Sequence, residues 1–176
     1  VLKQVNNKKT IISERNVYEC KEVRNLKVQV PGEMLFADMN DIDTLSEMSF
    51  QFQKEEYGDR LEKNIDEMRN EVVIPAIRKQ NLLKWVDKGV IKSILQVSIS
   101  DVNAPSIMHF FTKEEVRKQG YGYALAWHAT NDVLFEYESC GLVTKRNYIP
   151  SNKTFQNVGY EKVYDWIKVI VEPARQ

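Results

Sequence analysis

A mixed α/β fold, with helices packed on a mixed sheet, is the fold class that three features of this 176-residue chain predict. Residues 61–73 place Leu61, Ile65, Met68, Val72 and Val73 at three- and four-residue spacing, the period of an amphipathic helix. Residues 82–86 and 90–99 are apolar runs around Asp87-Lys88-Gly89, the pattern of a hairpin with a short glycine-containing turn. Residues 106–111 form a third apolar run, which ends in a glycine turn and passes into helical periodicity over 121–137.

Residues 1–30 are polar, lysine-rich and weakly periodic, and read as an N-terminal arm or the remnant of a preceding segment. They hold two candidate strands, at 10–13 and at 26–30, where Leu26, Val28 and Val30 alternate. Pro31-Gly32 is a turn and the expected boundary, so that residues 31–176 form the main domain. Residues 34–37 read as a short buried strand. Asp41 is then expected to cap a helix loaded by Ile42, Leu45, Met48, Phe50 and Phe52. Gly58-Asp59 restarts the chain into the charged helix at 61–73, which Pro75 should end or kink. Beyond the glycine turn and its helix come a short buried strand at 142–144, a short helix at 151–158 and a closing strand at 160–171. The order β-α-α-β-β-β-α-β-α-β suits a mixed sheet flanked by helices.

Composition narrows the function classes. The 25 basic and 25 acidic side chains balance, so no global field argues for nucleic acid or an anionic membrane as partner. No run approaches the length of a membrane span and no signal-peptide pattern opens the chain, so a cytoplasmic location is expected. Cys20 and Cys140 are far apart in sequence and only His109 and His128 accompany them, which makes a metal site improbable.

The glycine turn carries the chemistry. Arg117-x-x-Gly120-x-Gly122 stands where a helix begins, and the first amides of a helix have no intrahelical acceptor. They lie at the positive end of the macrodipole and suit an anion, typically a phosphate or pyrophosphate. Glycine allows close approach to the backbone and a positive φ, and Arg117 and Lys118 add two cations. An ordinary loop before an amphipathic helix reads the same way locally. A P-loop is ruled out because no Gly-Lys-Ser/Thr run exists, and a dinucleotide fingerprint because Leu125 stands where its third glycine would fall.

Downstream lies Ser151-Asn152-Lys153-Thr154-Phe155-Gln156-Asn157-Val158-Gly159-Tyr160. This segment and the Arg117-Gly120-Gly122 turn, in that order, resemble the closing segment and the acyl-CoA-binding motif of the GNAT superfamily of N-acetyltransferases. The resemblance is clear over residues 107–169 and plausible from residue 31. It implies a mostly antiparallel mixed sheet, acetyl-CoA as co-substrate, and a primary amine of a small molecule or peptide as acceptor. It also implies that amides of Lys118, Gln119, Gly120, Tyr121, Gly122 and Tyr123 hold the pyrophosphate, with Arg117 and Lys118 screening its charge. Phe110, Phe111 and Thr112 would offer main-chain groups of a splayed strand to the pantetheine arm, and Asn152 would lie near that arm or cap its own helix turn.

Amine transfer needs an acid for the leaving thiolate and a base for the ammonium. The family's usual tyrosine, four residues before the Gly-aromatic pair, falls here on Phe155, which has no proton to give. Tyr148 and Tyr160 are the substitutes within reach in sequence. His109 is the most titratable base candidate, although a packing role is open to it, and strand alternation groups it with Ile107 and Phe111. Glu55 and Glu56, at the end of the first helix, are further candidates. The alternative to an enzyme is a non-catalytic acyl-CoA-binding or regulatory module. The acceptor's identity and the oligomeric state are not legible.

Overall fold

Lys88 and Gly89 both take left-handed backbone, φ +50° and +73°, and close the expected hairpin between β3 (Leu82–Asp87) and β4 (Val90–Ile99). In the computed structural model, which describes residues 10–58, 61, 63–99 and 104–171, this hairpin supplies two strands of one seven-stranded sheet. The other strands are β1 (Thr10–Cys20), β2 (Glu33–Phe36), β5 (Pro105–Thr112), β6 (Cys140–Lys145) and β7 (Glu161–Val171). Their order is β2-β3-β4-β5-β6-β1-β7. Every neighbour pair is antiparallel except β5 with β6. The helices are α1 (Ile42–Tyr57), α2 (Ile65–Met68), α3 (Ile74–Arg78), α4 (Tyr121–Glu136) and α5 (Ile149–Val158). The fold is therefore the mixed, mostly antiparallel sheet flanked by helices that was expected. No helix among the described residues is long and apolar enough to cross a membrane.

Four expectations need correction. The described part of the N-terminal arm is not separate from the sheet: β1 lies between β6 and β7 and pairs with both. Tyr18 and Cys20 from it are buried in the core, so Pro31-Gly32 is a turn within one structure and no boundary. Residues 26–30 form no strand. They run as an extended strap along α4, where the Trp127 indole donates to the Arg24 carbonyl (2.6 Å) and the Lys27 amide donates to the Tyr123 hydroxyl (3.1 Å). The strand at 33–36 is an exposed edge, with Phe36 62 % accessible. Pro75 does not end its helix. A π-helical turn at Arg69–Val73 precedes α3, which puts the proline in the first turn of a new α-segment, where its missing N–H costs nothing.

The two faces of the sheet carry different cores. On one face α4 and α5 pack through Tyr121, Leu125, Ala129, Phe155 and Val158 onto Tyr18, Leu83, Trp85, Leu95, Ile107 and Leu142. On the other, Leu45 and Met48 of α1, with Val73, Ala76 and Ile77, cover Leu82, Ile91, Ile94 and Phe111. Asp41 stands at the N-cap position of α1 but makes no side-chain cap bond there; its carboxylate instead accepts from the amide of Asp38, whose own side chain caps the preceding turn in a reciprocal capping box. Asp41 and Asp38 receive the ammonium of Lys84, which is buried on β3 and pins the start of α1 to the sheet.

Candidate functional site

The start of α4 is built to leave donors free. The chain reaches it through left-handed backbone at Lys118 (φ +63°) and Gly120 (φ +94°). None of the backbone N–H groups of Lys118, Gln119, Gly120, Tyr121, Gly122 and Tyr123 has an acceptor among the described residues. The first helical bond in the segment runs from Ala124 N–H to Gly120 C=O. Gly120 lacks any side-chain cap and no acidic residue lies in the first turn, so no side chain of that turn competes for an anion there.

The glycines themselves serve the protein's own packing. A Cβ on Gly120 would lie 2.9 Å from Val28 and Val30 of the strap, and one on Gly122 would lie 2.5 Å from Thr112 Oγ1 and 3.0 Å from the Phe110 ring. Gly122 is thus the position at which α4 comes down on β5, a close approach that only glycine permits.

β5 is bent at this point. Two steps on β4, from Ile94 to Gln96, correspond to three on β5, from Phe111 to Met108, so β5 holds one extra residue. His109 sits in the bulge with φ +52°, a conformation histidine tolerates better than most side chains. The bulge overturns the expected alternation: Ile107 faces α4, whereas Phe111 belongs to the α1 core. Beyond the pairs Ser106–Gly141 and Ile107–Leu142, β5 and β6 part. Phe110, Phe111 and Thr112 therefore line the edge of a slot whose other wall is the end of β6.

Two residues expected at the cofactor are engaged elsewhere. The Arg117 side chain turns to the α1 side, donates to the Thr112 carbonyl (3.0 Å) and to Glu55 (2.5 Å), and lies over the Phe111 ring. Its amide bonds to Glu114 C=O, so Arg117 leaves the row of free donors. Asn152 is buried and its amide is fully committed. Its Oδ1 accepts from Asn16 (3.1 Å), the Tyr18 hydroxyl (2.9 Å) and Thr144 (2.7 Å), while its Nδ2 donates to the carbonyls of Lys145 and Tyr148. It is a hub that ties α5 to β1 and β6, and has no hydrogen bond left for a ligand.

The acid and base candidates separate in the same way. Phe155 packs edge-on against Phe110 and Tyr160 in the core. The Tyr160 hydroxyl is buried against Thr130 (3.0 Å) and burial pushes its pKa upward, which makes it a poorer acid. Tyr148 is half-exposed at the entry to α5. His109 lies against Phe52 of α1, ring centroids 4.6 Å apart, with its buried Nε2 unpartnered. Burial lowers its pKa to about 4, so it stays neutral at pH 7 and draws a proton from an ammonium only weakly. Of the two roles open to His109, this geometry favours packing over base. Glu56 is paired with Arg15 (2.6 Å) and Lys145 (3.4 Å), as Glu55 is with Arg117. The bulge and these long-range pairs had no signal in the sequence beyond histidine's tolerance of left-handed backbone.

Comparison with known proteins agrees with this geometry at the level of the fold. No family model matches the chain, and no curated protein matches it in sequence. Among solved structures, it is similar to a GNAT-family acetyltransferase from Colwellia psychrerythraea, with TM-score 0.72 and 12 % identity over 93 % of this chain and 56 % of that one. It is also similar to the PaiA N-acetyltransferase from Thermoplasma acidophilum in complex with coenzyme A (TM-score 0.59, 18 % identity, 73 % and 89 % covered). A predicted acetyltransferase from Clostridium acetobutylicum, with acetyl-CoA, matches at TM-score 0.52 and 17 % identity, with 70 % and 87 % covered. Against four of the longer neighbours the chain spans 53 % to 66 % of their length. The chain has the GNAT fold.

Proposed function

We propose that this chain is an N-acetyltransferase that moves an acetyl group from acetyl-CoA to a primary amine of a small molecule or peptide. The row of unpartnered amides at residues 118–123, next to the slot where β5 leaves β6, carries the reading. Unpartnered N–H donors at the positive end of a 16-residue helix suit a pyrophosphate. The slot suits an extended arm that adds to β5 through freed main-chain groups of Phe110, Phe111 and Thr112, as a strand would.

Acetyl-CoA supplies an activated acyl group when bound. A β5 amide in the slot would hold the carbonyl oxygen as it gains negative charge. Tyr148 is the hydroxyl we assign to return a proton to the leaving sulfur, and an ordinary thiol of pKa about 8.5 needs only modest help. With Glu55 and Glu56 in ion pairs and His109 buried, no side chain is assigned as base, and the neutral fraction of the amine sets the rate.

The same observations favour a second reading, a module that binds acyl-CoA without efficient turnover. Turnover against an amine panel separates the two. The first test is calorimetric titration of acetyl-CoA and CoA, repeated on Lys118→Glu. Lys118 is exposed, so the variant changes charge beside the amides without disturbing the core. Micromolar binding that weakens by about tenfold or more in the variant supports the reading. Wild-type protein that binds neither ligand overturns both readings.

A further inference from the structure

We propose that Lys27, carried over α4 by the strap, binds the 3′-phosphate of the cofactor, an inference that rests on the acetyl-CoA reading above. The strap is part of the ordered structure. Arg24 N–H donates to Val158 C=O (2.7 Å), Trp127 donates to Arg24 C=O, Lys27 N–H donates to the Tyr123 hydroxyl, and Trp85 donates to Pro31 C=O (2.9 Å). Val28 and Val30 close against Gly120. The strap passes the first turn of α4 in van der Waals contact, and none of its carbonyls accepts from the amides of residues 118–123. It walls the row of donors on one side and leaves it open.

Between strap, α4 and α5 this wall creates a cleft of about 160 Å³, lined by Lys27, Val28, Tyr123, Thr154 and Asn157. Tyr123 belongs to both places, since its amide is the last of the free row and its ring is a wall of the cleft. The lining contains a cation and no carboxylate. Among the described residues the Lys27 ammonium has no ion-pair partner and the Asn157 side chain no hydrogen bond. The Tyr123 hydroxyl accepts from the strap and keeps its own proton to donate. Free donors with one positive charge and no negative one suit a phosphate monoester. Beside a pyrophosphate site, that means a nucleotide with a second, separate phosphate. Coenzyme A carries one on its ribose; its 3′-dephospho form does not. Val28 and the Tyr123 ring supply an apolar surface for the adjoining base.

The test is a two-by-two titration: CoA and 3′-dephospho-CoA against wild type and Lys27→Ala at low ionic strength. The substitution keeps the Lys27 amide and hence the bond that holds the strap. Wild type should prefer CoA by about tenfold. The variant should lose that preference by weakening for CoA alone. Equal affinities for the two ligands in wild type, or an equal loss for both in Lys27→Ala, overturns the assignment and leaves the acetyl-CoA reading standing. Wild type that binds neither ligand overturns that reading and this inference with it.

Discussion

The two sides of β5 treat polar groups in opposite ways. Toward α4, six consecutive amides and the edge of a bent strand are left without partners, although Tyr121 and Gly122 lie at the edge of a close-packed core. Toward α1, the charges at the end of the helix are matched. Glu55 meets Arg117, Glu56 meets Arg15 and Lys145, and Lys145 also donates to the last carbonyls of α1. Since Arg117 follows β5 while Lys145 ends β6, the end of α1 straddles the mouth of the slot. One side leaves a row of main-chain donors open, the feature on which the proposed binding of acetyl-CoA rests. The other is a closed electrostatic network, which an acceptor must either pass or rearrange.

Three measurements probe the contrast. The largest effect is expected at the hub that fixes the end of β6 and the start of α5. Asn152→Leu strips the acceptor from Asn16, Tyr18 and Thr144 and leaves the carbonyls of Lys145 and Tyr148 with their backbone donors alone, and should cost about 3 kcal/mol or more in urea unfolding. A variant that keeps wild-type stability and loses only CoA affinity would return Asn152 to the cofactor side.

The next effect comes from the buried imidazole on the α1 side. His109 has a folded-state pKa of about 4 against 6.5 for the free side chain. Between those values the unfolded chain takes up a proton that the folded chain refuses. Its contribution is therefore fully present above pH 6.5 and is lost as pH falls toward 4, by about 3 kcal/mol at most. Unfolding midpoints at pH 7 and pH 4.5 should differ clearly in wild type and much less in His109→Gln. Parallel pH profiles for the two proteins would mean that His109 is solvated, and would restore it as a base candidate.

The smallest effect is expected at the network itself. Glu55→Gln removes a partly exposed ion pair and should change stability by no more than about 1 kcal/mol, with the difference fading in high salt. If the pair is a closure over the acceptor end, the same variant should alter the KM for amine more than the affinity for CoA. An unchanged KM would reduce Glu55 to a surface contact.

Much of the scaffold was legible in the chain. The Lys88-Gly89 turn, the 121–136 helix and the short strand at 142–144 are short-range effects, set by φ preferences and by the spacing of apolar side chains, although Val143 in that expected buried strand is exposed. The free amides were legible for the same reason, since a glycine turn and a helix start dictate them locally. The assignments that failed depend on partners far away in sequence. Arg117 was read as a phosphate ligand because the acidic residue that claims it lies 62 positions back. Asn152 was read as a contact of the cofactor arm or a cap of its own helix turn, and two of its partners, Asn16 and Tyr18, lie 136 and 134 positions back on β1.

The sequence by itself determined the order of elements, the turn chemistry and the row of donors at the start of α4. Each follows from interactions within a few residues, whose geometry hardly depends on the rest of the molecule. Only the tertiary structure decided that residues 10–20 enter the sheet between β6 and β7, which makes Cys20 and Cys140 register partners across 120 residues of chain. It also decided that a bulge turns Phe111 away from Ile107, and that the strap brings Lys27 to the edge of α4. Strand pairing and side-chain ion pairs close loops of many tens of residues. Their outcome rests on which of many near-equal partners the packed core brings within reach.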